Sequence, residues 1–87
     1  MTIYESIGNN IKYYMNQLEN NIEFKKECSK VTAFEYLVEK TEISPKRLNN
    51  IINGKARTRI DELYRITKVL GVRIDNVLSK EVKKKDS

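Results

Sequence analysis

The most constraining feature is a short segment with strong punctuation at both ends. Ser44-Pro45 opens it and Gly54 closes it, with Leu48, Ile51 and Ile52 between them. Ser supplies an N-cap oxygen, and Pro is harmless at the first helical position, where its missing N–H has no intrahelical partner anyway. Gly is the natural stop, and apolar residues at i, i+3 and i+4 make a single inward seam. The spacing predicts a helix of about nine residues. A helix that short does not stand alone in water, so it has to be held by others.

Two more boundaries lie upstream and downstream. Thr32-Ala-Phe-Glu35 matches a capping box, in which the hydroxyl and the carboxylate each satisfy an exposed amide. It predicts a second helix with Phe34, Leu37 and Val38 buried, ending at Thr41-Glu42, with Ile43 plugging the turn. Ile3, Ile7, Ile11, Tyr14, Met15 and Leu18 form a helical stripe over residues 3–18, stopped by Asn20-Asn21. Gly8 inside that stripe disfavours the helix by about 1 kcal/mol relative to Ala, which predicts another backbone packed against it. Residues 22–30 are charged, with Ile22, Phe24 and Cys28 as anchors of a short extra helix or a structured loop. Thr58 or Arg59 starts a further helix with Asp61 and Glu62 in its first turn, Ile60, Leu63, Ile66, Val69 and Leu70 on its core face, and Gly71 as its stop. Val72, Ile74, Val77 and Leu78 suggest one more short helix.

The whole is expected to be all-α, a compact bundle of about five helices in one domain over residues 1–79. An insert occupies residues 20–31, and a flexible basic tail covers residues 80–87. The 87 residues suffice for one small core. No apolar run approaches the ~20 residues needed to span a bilayer, and the N-terminus lacks a signal-peptide pattern, so a cytoplasmic location and no membrane partner are expected. A lone cysteine and no histidine leave no basis for a disulfide or a Cys/His metal site.

Charge is divided along the chain. Residues 1–42 hold five Lys and seven Glu, net −2; residues 43–87 hold twelve Lys/Arg and five Asp/Glu, net +7. On a wheel of 100° per residue, with Leu48, Ile51 and Ile52 facing inward, Lys46, Asn50 and Asn53 point away and Arg47 and Asn49 flank them. Lys55, Arg57 and Arg59 follow with no acid before Asp61. A helix of this width fits the major groove of duplex DNA, where Lys meets guanine O6 and N7 and Asn pairs with adenine N6 and N7. Lys, Arg and hydroxyl groups at the groove edge suit phosphates. Taken singly, each Asn is as readily a polar surface residue; the combination with flanking cations is what points to DNA.

Residues 37–44 (LVEKTEIS), Leu48, Ile51, Asn53-Gly54-Lys55 and LYRITKVLGVRIDNVL over 63–78 resemble the helix-turn-helix domain of the Cro and lambda-repressor-like regulators. The resemblance covers about residues 32–78, with a first helix ending near Leu18. It implies a supporting helix over Phe34–Thr41, a recognition helix over Pro45–Asn53, and a sequence-specific regulator of transcription, a repressor by its usual action. Lys46, Arg47, Asn49 and Asn50 are then the base-contacting candidates, and Ser44, Asn53, Lys55, Arg57 and Arg59 the phosphate-contacting ones. A homodimer on a palindromic operator is implied, with no cofactor. The chain departs from the family pattern at Phe34, where a Gln is usual, at Val38, where a small residue is usual, at Glu42, where Gly is usual, and through the insert.

A competing reading makes the acidic half and the insert a docking face for another protein, as in an antitoxin-like modulator, with DNA binding auxiliary. The same glutamates equally form a solvated face. Catalysis is not expected: there is no His, no Gly-rich phosphate loop and no carboxylate pair in an evident cleft. Lys83 to Lys85 either attract DNA nonspecifically or solubilise the tail.

Overall fold

A computed structural model describes residues 2–27 and 30–78. Six helices follow in order: α1 (Ile3–Glu19), α2 (Ile22–Glu27), α3 (Ala33–Thr41), α4 (Pro45–Ile52), α5 (Ile60–Leu70) and α6 (Ile74–Leu78). No strand occurs among the described residues. The basic tail expected over residues 80–87, with Lys83 to Lys85, lies outside the described residues, as does Cys28.

Helices α1 to α4 begin where side chains satisfy their first amides. Thr2 with Glu5 and Thr32 with Glu35 both form complete capping boxes. Ser44 Oγ accepts the Arg47 backbone N–H at 3.2 Å, and Pro45 follows it at the first position of α4. Asn21 Oδ1 accepts the Phe24 N–H at 3.1 Å and so opens α2. The α3 start receives a further acceptor from outside its own turn, since Glu19 Oε2 takes the Ala33 N–H at 2.8 Å. The end of α1 and the beginning of α3 are thereby tied across the insert.

Ile7, Ile11, Leu37, Ile43, Leu48, Ile51, Leu63, Ile66 and Val77 form one buried cluster to which five of the six helices or their turns contribute. The sixth, α2, sits at the edge, held by Phe24, whose ring meets Tyr36 of α3 edge-on at 5.2 Å. The segment expected as a helix or a loop is therefore a helix, and Phe24 alone of its expected anchors is seen to be buried; Ile22 is 70% exposed. Asn10 Nδ2 donates to the Val77 carbonyl at 2.9 Å inside the core, fastening α6 across the middle of α1.

Gly8 explains itself. A Cβ placed there would lie 2.5 Å from the Ile52 carbonyl oxygen and 2.8 Å from that of Ile51. The α1 backbone thus rests directly on the last turn of α4. Gly54 is the matching position on the other side: its φ is +70°, and a Cβ there would meet Glu5 Cα at 2.8 Å. Its N–H donates to Ile51 O at 3.1 Å while Lys55 N–H donates to Asn50 O at 2.9 Å, the pair of bonds that ends a helix with a left-handed residue.

The turn between α3 and α4 is unusual in sequence but regular in shape. Glu42 has φ +61°, the left-handed region, at the position where Gly was missing. Buried Thr41 stabilises this turn, donating to Leu37 O at 2.6 Å and accepting the Ile43 N–H at 3.3 Å, and Ile43 fills the space beneath it. Some core expectations are corrected: Phe34 and Val38, expected buried, are half-buried against the edge of the core, and Ile60 lies outside it. Ile60 is 72% exposed, because it stands at the first position of α5, roughly 90° around the helix from the seam of Leu63, Ile66 and Leu70.

Two outcomes test this frame. Gly8→Ala should destabilise the protein by about 1–3 kcal/mol despite its better helix propensity, because the new methyl meets backbone that can only move with α4. Glu42→Gly should stabilise it by about 1 kcal/mol by relieving the left-handed penalty. Urea midpoints of the two variants against the parent chain measure both; a neutral Gly8→Ala would show that α1 does not press on α4.

Candidate nucleic-acid interface

Helix α4 is eight residues long, or about 12 Å. Leu48 and Ile51 are wholly buried, Ile52 is half-buried, and Lys46, Asn49 and Asn53 are exposed, with Asn50 and Arg47 half-buried at the margins. The wheel drawn from sequence thus places its inward seam correctly. Burying Leu48 and Ile51 stabilises the docked helix by roughly 1.5–3 kcal/mol each. The seam is what turns the amide-bearing face outward.

The amides on that face are partly ordered. Asn53 Nδ2 donates to the Asn49 carbonyl at 2.9 Å and to Asn49 Oδ1 at 3.2 Å. That leaves the Asn49 amide N–H groups and Asn53 Oδ1 uncommitted on two exposed residues, a donor and an acceptor. Ser44 uses an oxygen lone pair for its cap, so its hydroxyl hydrogen remains able to donate outward. Lys46, Lys55 and Arg57 are exposed, and among the described residues none of them is in an ion pair. Arg59 lies 3.6 Å from Asp61, both largely exposed, a contact worth little in water.

Arg47 differs from the others. Its Nε donates to Glu62 Oε2 at 2.9 Å and its Nη2 to Glu62 Oε1 at 2.8 Å, a two-pronged pair. The same Nη2 donates to the Arg57 carbonyl at 2.7 Å, and Glu62 Oε1 also accepts the Arg59 backbone N–H at 2.9 Å. The Arg47 guanidinium holds the Glu62 carboxyl below its ordinary range, against the opposing effect of partial burial. Glu62 entered the sequence reading only as a favourable charge near a helix N-terminus. Nothing in a spacing of fifteen residues marks it as the partner of Arg47.

On the support side, Phe34 and Val38 of α3 are half-buried, in place of the polar and small residues expected of the family. With Val31 and Pro45 they line a shallow apolar groove bordered by Glu35 and Glu39. Arg65 of α5 reaches the Thr41 carbonyl at 3.3 Å, so the turn between α3 and α4 is held from below as well. No helix among the described residues is long and apolar enough to cross a membrane, and no group of three or more metal-binding side chains occurs among them.

Residues 35–77 match the helix-turn-helix family model. No curated protein and no solved structure matches the chain. The matched span runs from the first turn of α3 to α6 and contains the turn, the short outward-facing helix and its cations. With the packing just described, residues 35–77 form a helix-turn-helix domain of the Cro and lambda-repressor-like kind, a DNA-binding type of domain.

Proposed function

We propose that this chain is a sequence-specific regulator of transcription that lays α4 in the major groove of duplex DNA and represses by occupying an operator. The observation that carries the reading is the exposed face of Lys46, Asn49 and Asn53, with half-buried Asn50 beside it, on a helix whose opposite side, Leu48 and Ile51, is fully buried. Lys46 and the amides of Asn49 and Asn50 are the base-edge groups, Lys to guanine and Asn to adenine. Ser44, Asn53, Lys55, Arg57 and Arg59 hold phosphates on either side and set register. The net −2 of residues 1–42 against +7 of residues 43–87 orients the polyanion toward the second half. A symmetric pair of chains on half-sites about one helical turn apart is the assembly this reading carries.

Selection of bound duplexes from a random library, followed by titration at several salt concentrations, is the direct test. With about four to seven phosphates neutralised, log affinity should fall against log salt with a slope of roughly −4 to −6; a flat response would remove the proposal. Lys46→Ala and Asn50→Ala should each relax preference at one base position by about 1–3 kcal/mol, whereas Arg57→Ala should weaken all sequences alike. A promoter reporter carrying the selected site should lose output when the protein is expressed.

A further inference from the structure

Arg47 stands among the residues that the sequence assigns to base contact, yet its donors are already committed inside the chain. A guanidinium reads guanine O6 and N7 with two adjacent N–H groups on different nitrogens. Here Nε and Nη2 both face Glu62, at 2.9 and 2.8 Å, and Nη2 gives its second hydrogen to the Arg57 carbonyl at 2.7 Å. Only the two hydrogens of Nη1 remain, and one nitrogen cannot present the fork. To read a base in that way, Arg47 would first have to break the ion pair.

What the pair holds is the connection that carries the cations. Its links run from the first turn of α4, at Arg47, to the loop carbonyl of Arg57 and to Glu62 and the Arg59 N–H at the start of α5. Glu62 is 12% exposed at its side chain and Arg47 34%, so the bridge is partly sheltered from water. The loop does not reach this shape for its own sake. Between Arg57 and Arg59, the Thr58 hydroxyl oxygen is closed off from solvent with no hydrogen-bond partner among the described residues. A segment left to itself would relax to satisfy that group.

We infer that Arg47 and Glu62 are positioning residues for DNA binding: their bridge locks the 55–59 connection to α4, so that Lys55, Arg57 and Arg59 meet phosphates in fixed register with the reading helix. This rests on the proposed duplex-binding function. It also assigns a role to an acid in the middle of a basic surface, where simple charge balance would disfavour one.

That acid gives the test an unambiguous sign. Glu62→Gln removes a negative charge from a face that meets a polyanion, and Coulomb attraction alone would then tighten binding. The positioning role requires the opposite: a loss of about tenfold on every duplex, with a salt slope shallower by about one phosphate, because the freed loop no longer holds its contacts. Arg47→Lys keeps the charge and loses the fork, so it should weaken binding in the same direction without altering the base preference obtained by selection. The double variant should be no weaker than the worse single one, since the two side chains act as a unit. Circular-dichroism melts verify that each variant is folded at the assay temperature, and loss of fold alone would leave the slope unchanged. Tighter or unchanged binding by Glu62→Gln, or a switched base preference in Arg47→Lys, would overturn the inference.

Amide hydrogen exchange without DNA separates this from the function on which it rests. Exchange at the Arg59 amide should speed up in Glu62→Gln if the bridge fixes the connection, and unchanged protection would refute it. Absence of duplex binding by the unsubstituted chain would instead remove the proposed function, with the exchange result still deciding whether the bridge orders the loop.

Discussion

The structure depends on the direct contact between the α1 backbone at Gly8 and the terminal carbonyls of α4. An eight-residue helix has no stability of its own, since helices this short are marginal in water even with favourable composition. It must be seated by neighbours, and the depth of its seat decides how far its outer face projects. Gly8 lets α1 come to within a missing methyl of Ile51 and Ile52, while Gly54 lets the chain leave α4 against Glu5. The two glycines are reciprocal, each removing the atom that would hold the partner element away. Leu48 and Ile51 then complete the seam, and the outward face is a consequence of that seam.

The acids of the first half have local duties that a charge sum hides. Glu5 and Glu35 close capping boxes, and Glu19 accepts an N–H at the start of α3. The Thr2 backbone N–H holds the Glu5 carboxyl below its ordinary range. Negative groups therefore gather at helix N-termini, where backbone dipoles favour them. Downstream, cations follow α4 with no acid until Asp61, and the first glutamate after them, Glu62, folds back onto Arg47. Charge segregation is thus partly a by-product of how the helices are capped. It leaves the α4 side with exposed Lys46, Lys55 and Arg57 outside any ion pair among the described residues.

Local chemistry was legible in the sequence, and contacts between distant positions were not. The Thr32–Glu35 capping box, Ser44-Pro45, Gly54 and Gly71 act within four or five residues, and each stands where its pattern indicates; the Thr2–Glu5 box, of the same pattern, was not read there. Gly8 was readable for a different reason: a residue that weakens its own helix needs an external cause, and the cause is there. Even the left-handed Glu42 could be anticipated, because the turn requires that conformation whatever residue occupies it. Ile60 misled because an apolar residue at a helix start fits a 3.6-residue period loosely and the core ends before it. Arg47 with Glu62 was illegible because an ion pair across two helices leaves no periodicity in either one. Residue type gave the wrong hint as well, since arginine on such a helix looks first like a base reader.

The last step concerns which polar groups are available. On a surface meant for DNA, the useful side chains are those whose donors are not already spent within the fold. By that measure the face of α4 divides cleanly. Lys46 is exposed and in no ion pair among the described residues, and Asn49 with Asn53 keeps an uncommitted donor and acceptor after their mutual bond. Arg47 has given three hydrogens to Glu62 and Arg57. A buried seam orients both kinds of residue, but only hydrogen-bond occupancy separates the groups that still have donors to offer from those whose donors are committed within the fold. Helical position alone puts Arg47 and Asn49 on equivalent flanks; their bonds leave them with different donors to offer.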